Sequence, residues 1–520
     1  MQMKNRKISY LYWLIPLGLL ALQIVMTLQS FNQIRYEEVA NSVRNPFWLT
    51  QRTVYGGASS NVGWEGVLTI LYAFFGFSLF MGKYFHVFLA LCSLFSLAAI
   101  LKKYLGEKLA IIPLITIGLS PTLLYFNTIA SNYGIDLQYL PIVLFLLDTR
   151  FRFLRMLGAF VAMVAWMSYP PFMFYLPVLF ILSLRKKIAT SLTAPRNDNK
   201  WFAMTMVGFL LPLIFVLFYI TNTQALINDP VKGSGIFRGG GGIFPPPEGT
   251  IDINIKNLLA DLFAKGISYN FDLQMGEFSL VFPIVVLLGV LIFGIVAYRK
   301  FPKWKFLILG VWVVFLFNFI VYVFFQDLTG MPGIRRGTGM LAAFYVFFAL
   351  GWYYLNTRST HVVIPAKTGI QEDSGVARLP RMTKRLPSNV SNDKWRLVGM
   401  VILLLLPLHH LIVYPINLSH IPDPTIWQDA TGFFQVAKTP VASLATFVQK
   451  VQKQDVYLKC QMMSGGQTVN NCRYGEMYTA IIGSCLWNHL SCHSVYGYDW
   501  NSEKYILLKN TLWDNNVLEP

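Results

Sequence analysis

The sequence predicts an all-α polytopic membrane protein of about eleven transmembrane helices with a small C-terminal α+β extracytoplasmic domain. Three observations carry that prediction. Hydrophobic residues make up 55% of the 520-residue chain and charged residues 13%, where an average soluble domain carries roughly 25% charged. The apolar residues fall into successive runs of about 17–25 residues, the length a helix needs to cross the hydrocarbon core; an open strand could not satisfy its backbone there. Basic residues gather in alternate polar segments, the pattern that sets orientation in a membrane.

In chain order the runs are 8–29, 84–101, 108–125, 135–148, 156–168, 170–184, 201–221, 279–298, 305–325, 339–356 and 397–414. They divide the chain into a transmembrane domain, 1–414, and a soluble domain, 415–520. The apolar stretch 64–82 reads as interfacial or re-entrant, because counting it as a span would break the charge alternation. Six segments, at Lys4–Lys7, Lys102–Lys108, Arg150–Arg155, Arg185–Lys200, Arg299–Lys305 and Arg358–Arg396, hold 26 of the 43 basic residues. With these inside, the N-terminus is cytoplasmic and the C-terminus lies outside. The net charge of +18 follows from this bias, so it gives no reason to invoke nucleic acid. The run Met1–Ser30 starts like a signal peptide, but its apolar part is long and no small-residue cleavage site follows, so it reads as a retained first span.

Of the five cysteines, Cys92 falls inside a span, while Cys460, Cys472, Cys485 and Cys492 fall in the outer portion, where disulfides persist. Four cysteines admit three pairings, all left open by sequence. The outer portion opens with helical spacing over Trp427–Gln452 and continues with short strands such as Asp455–Leu458. Before it, Ser359–Asp393 has the Pro-, Lys-, Arg- and Ser-rich composition of a linker.

Residues with chemical potential lie on the outer side. The loop 31–65 places Glu37, Glu38 and Glu65 among Tyr36, Trp48, Tyr55 and Trp64. Aromatic walls desolvate a carboxylate and poise it for proton transfer; the competing reading is a solvated loop acid. Asp136 sits at the outer end of its span, either as a functional group or as an acid favoured by the helix dipole. In the loop 222–278, four consecutive glycines follow Arg238 and precede three prolines. Such a segment suits a flap whose amides approach a phosphate, or a plain surface loop. Arg335 and Arg336 lie directly before a helix and against the charge trend. Their forks suit a phosphate, with headgroup anchoring as the other reading. Pro170 and Pro171 break the tight pair of runs between 156 and 184.

No Walker A lysine, Rossmann glycine pattern, HExxH, CxxC pair or Gly-x-Ser-x-Gly elbow is present in the sequence. Chemistry driven by a soluble nucleotide, a zinc protease and a serine hydrolase are therefore unsupported. Carboxylates, arginines and aromatic rings remain.

The order of parts is familiar. A first span leads to an acidic outer loop and an apolar stretch ending Phe75-Gly76-Phe77-Ser78. A span with a basic Tyr-Leu-Gly corner, Gly118-Leu119-Ser120-Pro121 before Asp136, and the hairpin MLGAFVAMVAWMSYPP follow. This resembles the C-type membrane glycosyltransferases and looks most like their protein O-mannosyltransferase and aminoarabinose-transferase branch, over residues 1 to about 356. The resemblance implies an enzyme of the bacterial inner membrane, using a polyprenyl-phosphate sugar donor and a glycan, lipid or protein acceptor. It implies a catalytic acid at Glu37 or Glu38 and a second at Asp136. Trp64-Glu65-Gly66 stands where the family has Lys/His-Pro-Pro. That leaves Arg335, Arg336 or Arg238 for the donor phosphate, with Glu65 as a further substrate contact. A carboxylate acting as base opposite the leaving phosphate would give inversion, with arginines or a divalent metal stabilising the departing charge. The alternatives are an O-antigen polymerase or ligase, and a transporter, which would bind at the bilayer midplane between broken helices.

Overall fold

The computed structural model describes residues 2–34, 42, 62–78, 80–149, 151–190, 203–212, 214, 281–326, 334–357 and 390–420, with short C-terminal pieces at 439–440, 449–450, 452–458, 462–464, 467–469, 493, 495–499 and 504–507. The described residues are mostly helical. The helices are α1 (Gln2–Gln29), α2 (Val62–Phe75), α3 (Met81–Leu105), α4 (Glu107–Gly118), α5 (Pro121–Asn127), α6 (Ile135–Leu147), α7 (Arg152–Ser168) and α8 (Leu176–Thr190). Then come α9 (Ala203–Pro212), α10 (Val281–Lys300), α11 (Lys305–Gln326), α12 (Ile334–Asn356) and α13 (Val390–His420).

Each of the eleven expected runs carries helix, but the helices differ in reach. Among the described residues five are long and apolar enough to cross a membrane, within α1, α3, α10, α12 and α13, or six if the bent pair α4–α5 is one span. This makes the chain a multi-pass membrane protein. The helices α2, α6, α9 and the apolar part of α11 are shorter. The run 64–82, expected at the interface, contains α2, whose Trp64, Leu68 and Tyr72 are buried while Ile70, Phe74 and Phe75 are exposed.

Lipid removes the usual hydrophobic drive between helices, so close packing has to hold them together. One cluster joins α1, α3 and α4 through Tyr12, Leu19, Leu94, Ala98 and Leu114. A second joins α2, α3, α6 and α7 through Trp64, Leu89, Tyr139, Val143 and Ala162. A third joins α10 to α13 through Val290, Phe315, Phe344, Phe347 and Leu403. Gly63 lets α2 reach the α7 backbone: a Cβ there would lie 2.6 Å from the Val164 carbonyl oxygen. Outward, α1 shows Leu11, Leu14, Leu17 and Leu28, and α13 shows Leu397, Val401, Leu408 and Leu411, as lipid-facing helices do.

The break between α4 and α5 bends the chain by 55°. Pro121 has no N–H to continue the ladder, and the Ser120 hydroxyl caps α5 by accepting from the Leu123 N–H at 3.2 Å. The Ser120 N–H turns to Ile117 O at 3.1 Å, which frees the Thr116 carbonyl from its ordinary partner four residues on. His410 of α13 takes it instead, with Nδ1 2.9 Å from Thr116 O. A carbonyl only accepts, so that nitrogen carries the hydrogen.

Polar contacts gather the helix ends into two groups. At one end Lys103 pairs with Asp148 and Lys102 with Glu107, and Arg155 Nε donates to Thr149 O at 3.0 Å. Tyr104 and Trp304 meet edge to face beside them. At the other end lie the C-termini of α1, α5 and α7 and the N-termini of α3 and α6, joined by Lys83, Ser30, Asn127, Asn132 and Ser168.

Besides the helices the structure describes short strands: β1 (Gln33–Ile34) just after α1 and, beyond α13, β2 (Thr439–Pro440), β3 (Val456–Leu458), β4 (Met462–Ser464), β5 (Gln467–Val469), β6 (Val495–Asp499) and β7 (Lys504–Leu507). β6 lies between β3, parallel, and β7, antiparallel. β1 pairs with β2, which fastens the chain just after α1 to the C-terminal portion. Cys460, Cys472, Cys485 and Cys492 lie outside the described residues, as does the linker expected between 359 and 393 up to residue 389; its last four residues instead begin α13.

Candidate functional site

The site is built at the second group of helix ends. Gly134 begins it, because α6 starts after a left-handed residue, φ 69°, and a Cβ at that place would lie 2.5 Å from Phe126. Only glycine meets both demands cheaply. The turn sets Asp136 in the first turn of α6, where free N–H groups favour a carboxylate. Asp136 is fully buried. Its Oδ2 accepts from the Tyr175 hydroxyl at 3.1 Å, and Thr338 of α12 is a further side-chain hydrogen-bond partner. Oδ1 has no hydrogen-bond partner among the described residues. Three separate parts of the chain thus meet on one carboxylate: the start of α6, the turn before α8 and the first turns of α12.

Tyr175 reaches Asp136 because of the corner expected at Ser168-Tyr169-Pro170-Pro171. The two prolines end α7 and start a short 3-10 helix, Pro170–Phe174, suited to residues that lack a backbone donor. That turn directs Phe172 and Tyr175 inward, with rings 5.1 Å apart. Asn132 ties the same corner to the start of α6 by donating to Ser168 O at 2.9 Å.

Glu65 lies in the first turn of α2 and is 1% exposed. Its neighbour Trp64 is fully buried, 5.1 Å from the His86 ring and 5.7 Å from Phe85. Glu65 is therefore an interior residue of this end of the bundle, rather than an acid of an open loop. From the first outer loop Ser42 is described; its hydroxyl bonds to Ala130 O and its carbonyl accepts from Tyr72. Glu37, Glu38 and Arg238 lie outside the described residues. Arg335 and Arg336 fall inside the first turn of α12, which begins at Ile334, rather than before a helix; the backbone N–H groups of a first turn have no partner within the helix. Their backbone is about one turn from Thr338, and hence near the part of α12 that meets Asp136.

Sequence reasoning passed over the polar residues beside this carboxylate. Lys83 of α3 is 1% exposed and donates from Nζ to Ser30 O at 2.7 Å and Ser30 Oγ at 3.2 Å. His86, one turn further along, is 0% exposed and lies between Ser131 O and Gln138 Oε1. The signal was the spacing of Lys83 and His86, three apart in an apolar run and so on one helix face. Their partners sit dozens of residues away.

The side chains bonded to Asp136 are the hydroxyl groups of Tyr175 and Thr338, and no three His, Cys, Asp or Glu residues converge among the described residues. A divalent ion takes several oxygen ligands, usually more than one of them charged or carbonyl. Among the described residues the donors around Asp136 do not make up such a shell. Comparison with protein-family models, curated proteins and solved structures finds no match for this chain.

Proposed function

We propose that this chain is an integral membrane glycosyltransferase of the C type, moving a sugar from a polyprenyl-phosphate donor to an acceptor hydroxyl at the extracytoplasmic face. The observation that carries the reading is Asp136, a fully buried carboxylate with one oxygen bonded by Tyr175 and the other unpartnered among the described residues. It lies at the end of the bundle that the charge pattern assigns to the outside. In the proposed reaction the acceptor oxygen attacks the anomeric carbon and its proton passes to a carboxylate, Glu37, Glu38 or Asp136. The bond from the anomeric carbon to the phosphate oxygen breaks, and polyprenyl phosphate leaves with the electron pair. Attack opposite the leaving group inverts the anomeric centre. Arg335, Arg336 or Arg238 would neutralise the departing phosphate, with Glu65 contacting the substrate.

The same reading includes eleven spans, a cytoplasmic N-terminus, a periplasmic C-terminal α+β domain over 415–520, and the bacterial inner membrane as the location. The acceptor is a glycan, a lipid or a protein. Purified protein given a radiolabelled polyprenyl-phosphate monosaccharide should release polyprenyl phosphate and label an acceptor. Failure to consume the donor with every acceptor class overturns the assignment.

A specific feature favours a second reading. The pair α4–α5 is a broken helix whose freed Thr116 carbonyl is held by a neighbouring helix, and transporters build their sites from discontinuous helices. Under that reading the labelled donor stays intact while a solute crosses the membrane.

A further inference from the structure

From Phe278 to Gln326 the sequence holds no Asp or Glu, yet Arg299, Lys300, Lys303 and Lys305 fall within seven residues at the turn from α10 to α11. This turn lies at the end of the bundle opposite Asp136, where Trp304 meets Tyr104. On the α3–α4 side of that end the charges are neutralised from within, Lys102 by Glu107 and Lys103 by Asp148. The α10–α11 side differs. Arg299, Lys300 and Lys305 are exposed, and none of the three forms an ion pair with a described residue. The helix dipole favours Arg299 and Lys300 in the last turn of α10 but disfavours Lys305 at the start of α11. Helix electrostatics therefore leaves the third cation without a reason to be there.

Both helices carry an exposed apolar ridge that runs out at this corner. On α10 it is Leu288, Ile292 and Ile295, and on α11 it is Leu309, Val313 and Leu316. Steps of four and three keep each set on one helix face. Four residues after Ile295 the α10 line reaches Arg299, and four residues before Leu309 the α11 line reaches Lys305. Each ridge thus ends in a cation, both at the same end of the bundle. Lys305 Nζ lies 5.6 Å from the centroid of the Tyr298 ring, which brings the two ridge ends together. Half-way along, Trp312 sits against Gly294, where an added Cβ would come 3.0 Å from its ring. The corner itself is held by Phe301, Trp304 and Tyr353, with ring centroids 5.3, 5.6 and 6.0 Å apart. Aromatic rings of this kind gather at the level of the lipid headgroups.

We propose that the α10–α11 corner is a binding site for one anionic phospholipid, its phosphate on Arg299, Lys300 and Lys305 and its acyl chains along the two ridges. Charge complementarity selects this occupant. A zwitterionic headgroup brings an ammonium of its own, which three cations without an acid repel, and a free anion has no use for the ridges that end in two of them. An Arg fork and lysine ammonium groups are ordinary partners of a phosphate oxygen, and basic pockets between membrane helices hold anionic headgroups in this way. The site is at the far end from Asp136, so the proposal stands apart from the transferase reading and its test reads no activity.

Native mass spectrometry of full-length protein, freed of its own lipid in detergent, tests it by titration with dioleoylphosphatidylglycerol or with dioleoylphosphatidylcholine, which has the same chains. The parent protein should retain one phosphatidylglycerol at concentrations where phosphatidylcholine stays unbound, and excess inorganic phosphate should not displace it. A basic residue near an anionic lipid surface strengthens binding about fivefold, so Arg299→Gln, Lys300→Gln and Lys305→Gln together should weaken it by about 100-fold. Lys4→Gln, Arg6→Gln and Lys7→Gln together remove the same charge from the start of α1 and should leave binding unchanged. Equal losses in the two triple variants would reduce the effect to net charge and overturn the proposal. Equal binding of phosphatidylcholine would leave an apolar surface alone, and displacement by phosphate would make the site one for a free anion; either result also overturns it. Should the first triple variant not fold, its three single exchanges should each weaken binding about fivefold, and binding at the parental level in all three overturns the proposal.

Discussion

Tyr175 donates its hydroxyl to Asp136 across 3.1 Å, and this bond joins the proline corner before α8 to the first turn of α6. Without it the carboxylate, buried at a helix start, would keep Thr338 as its side-chain partner and lose the link to the proline corner. The bond also shows why the two prolines matter, since a helix continued through Tyr169–Phe174 would carry Tyr175 to another face.

Removing the donor should cost stability. Tyr175→Phe leaves a buried carboxylate oxygen short of a partner, a loss of about 1–3 kcal/mol. Adding Asp136→Leu removes the acceptor as well and should recover part of that loss, because removing both partners costs less than removing one. Thermal unfolding in detergent measures both. A Tyr175→Phe protein that melts with the parent would show that the bond contributes nothing.

Close approach of α2 and α7 gives a second test. In Gly63→Ala the new methyl would lie 2.6 Å from the Val164 carbonyl oxygen and 2.7 Å from Ser168 N, backbone atoms that cannot swing aside. The helices must separate, at a cost of roughly 1–3 kcal/mol. Gly18→Ala serves as the contrast, since nothing lies within 4 Å of the added carbon and alanine favours helix by about 0.8–1.0 kcal/mol. The melting temperature should fall in the first variant and hold or rise in the second.

The positions of the helices were legible because a membrane helix announces itself by a long apolar run. Their lengths were less so. Hydropathy reads residues 108–125 as one span, although Ser120-Pro121 bends it into α4 and α5, because a bend leaves the apolar count unchanged. Asp136 was legible as an acid at the end of a run. Its partners were not: Tyr175 is an ordinary aromatic in a proline corner, and Thr338 is a hydroxyl in an apolar helix. His86 and Lys83 were overlooked for the same reason. A single polar residue near the end of a span also suits snorkelling toward the headgroups, and their partners Ser30, Ser131 and Gln138 lie 45 to 53 residues away along the chain.

Topology follows from the 26 basic residues in six alternate segments. Single cysteines at Ser374 and Ser464, each in a background without other reactive thiols, report it. An impermeant reagent should leave position 374 unlabelled in intact cells and should reach position 464. Labelling at 374 in intact cells, or at 464 solely after lysis, would reverse the orientation and place the Asp136 end of the bundle inside.

The transferase reading stands or falls on its carboxylates. Asp136→Asn keeps the size of the side chain and an oxygen to accept from Tyr175, so the fold should persist while proton acceptance is lost. Glu37→Gln and Glu38→Gln make the same exchange in the first outer loop. Neighbouring residues leave the backbone in different directions, so one of the pair should matter and the other should not; Glu38 is favoured, because Glu37 directly follows the bulky Tyr36. Loss of a general base slows a reaction by about 10²–10⁴-fold. Asp136→Asn should slow sugar transfer by a comparable factor, through the acceptor that it orients or deprotonates. Expression and melting temperature should stay at parent values in all three. A base that acts solely in the transition state lowers kcat and kcat/KM together, whereas loss of a donor contact raises KM alone. Transfer at the parental rate in both Glu→Gln variants would remove the first loop from the reaction. The same outcome for Asp136→Asn would leave Asp136 as the acid that fastens α6 to Tyr175 and α12.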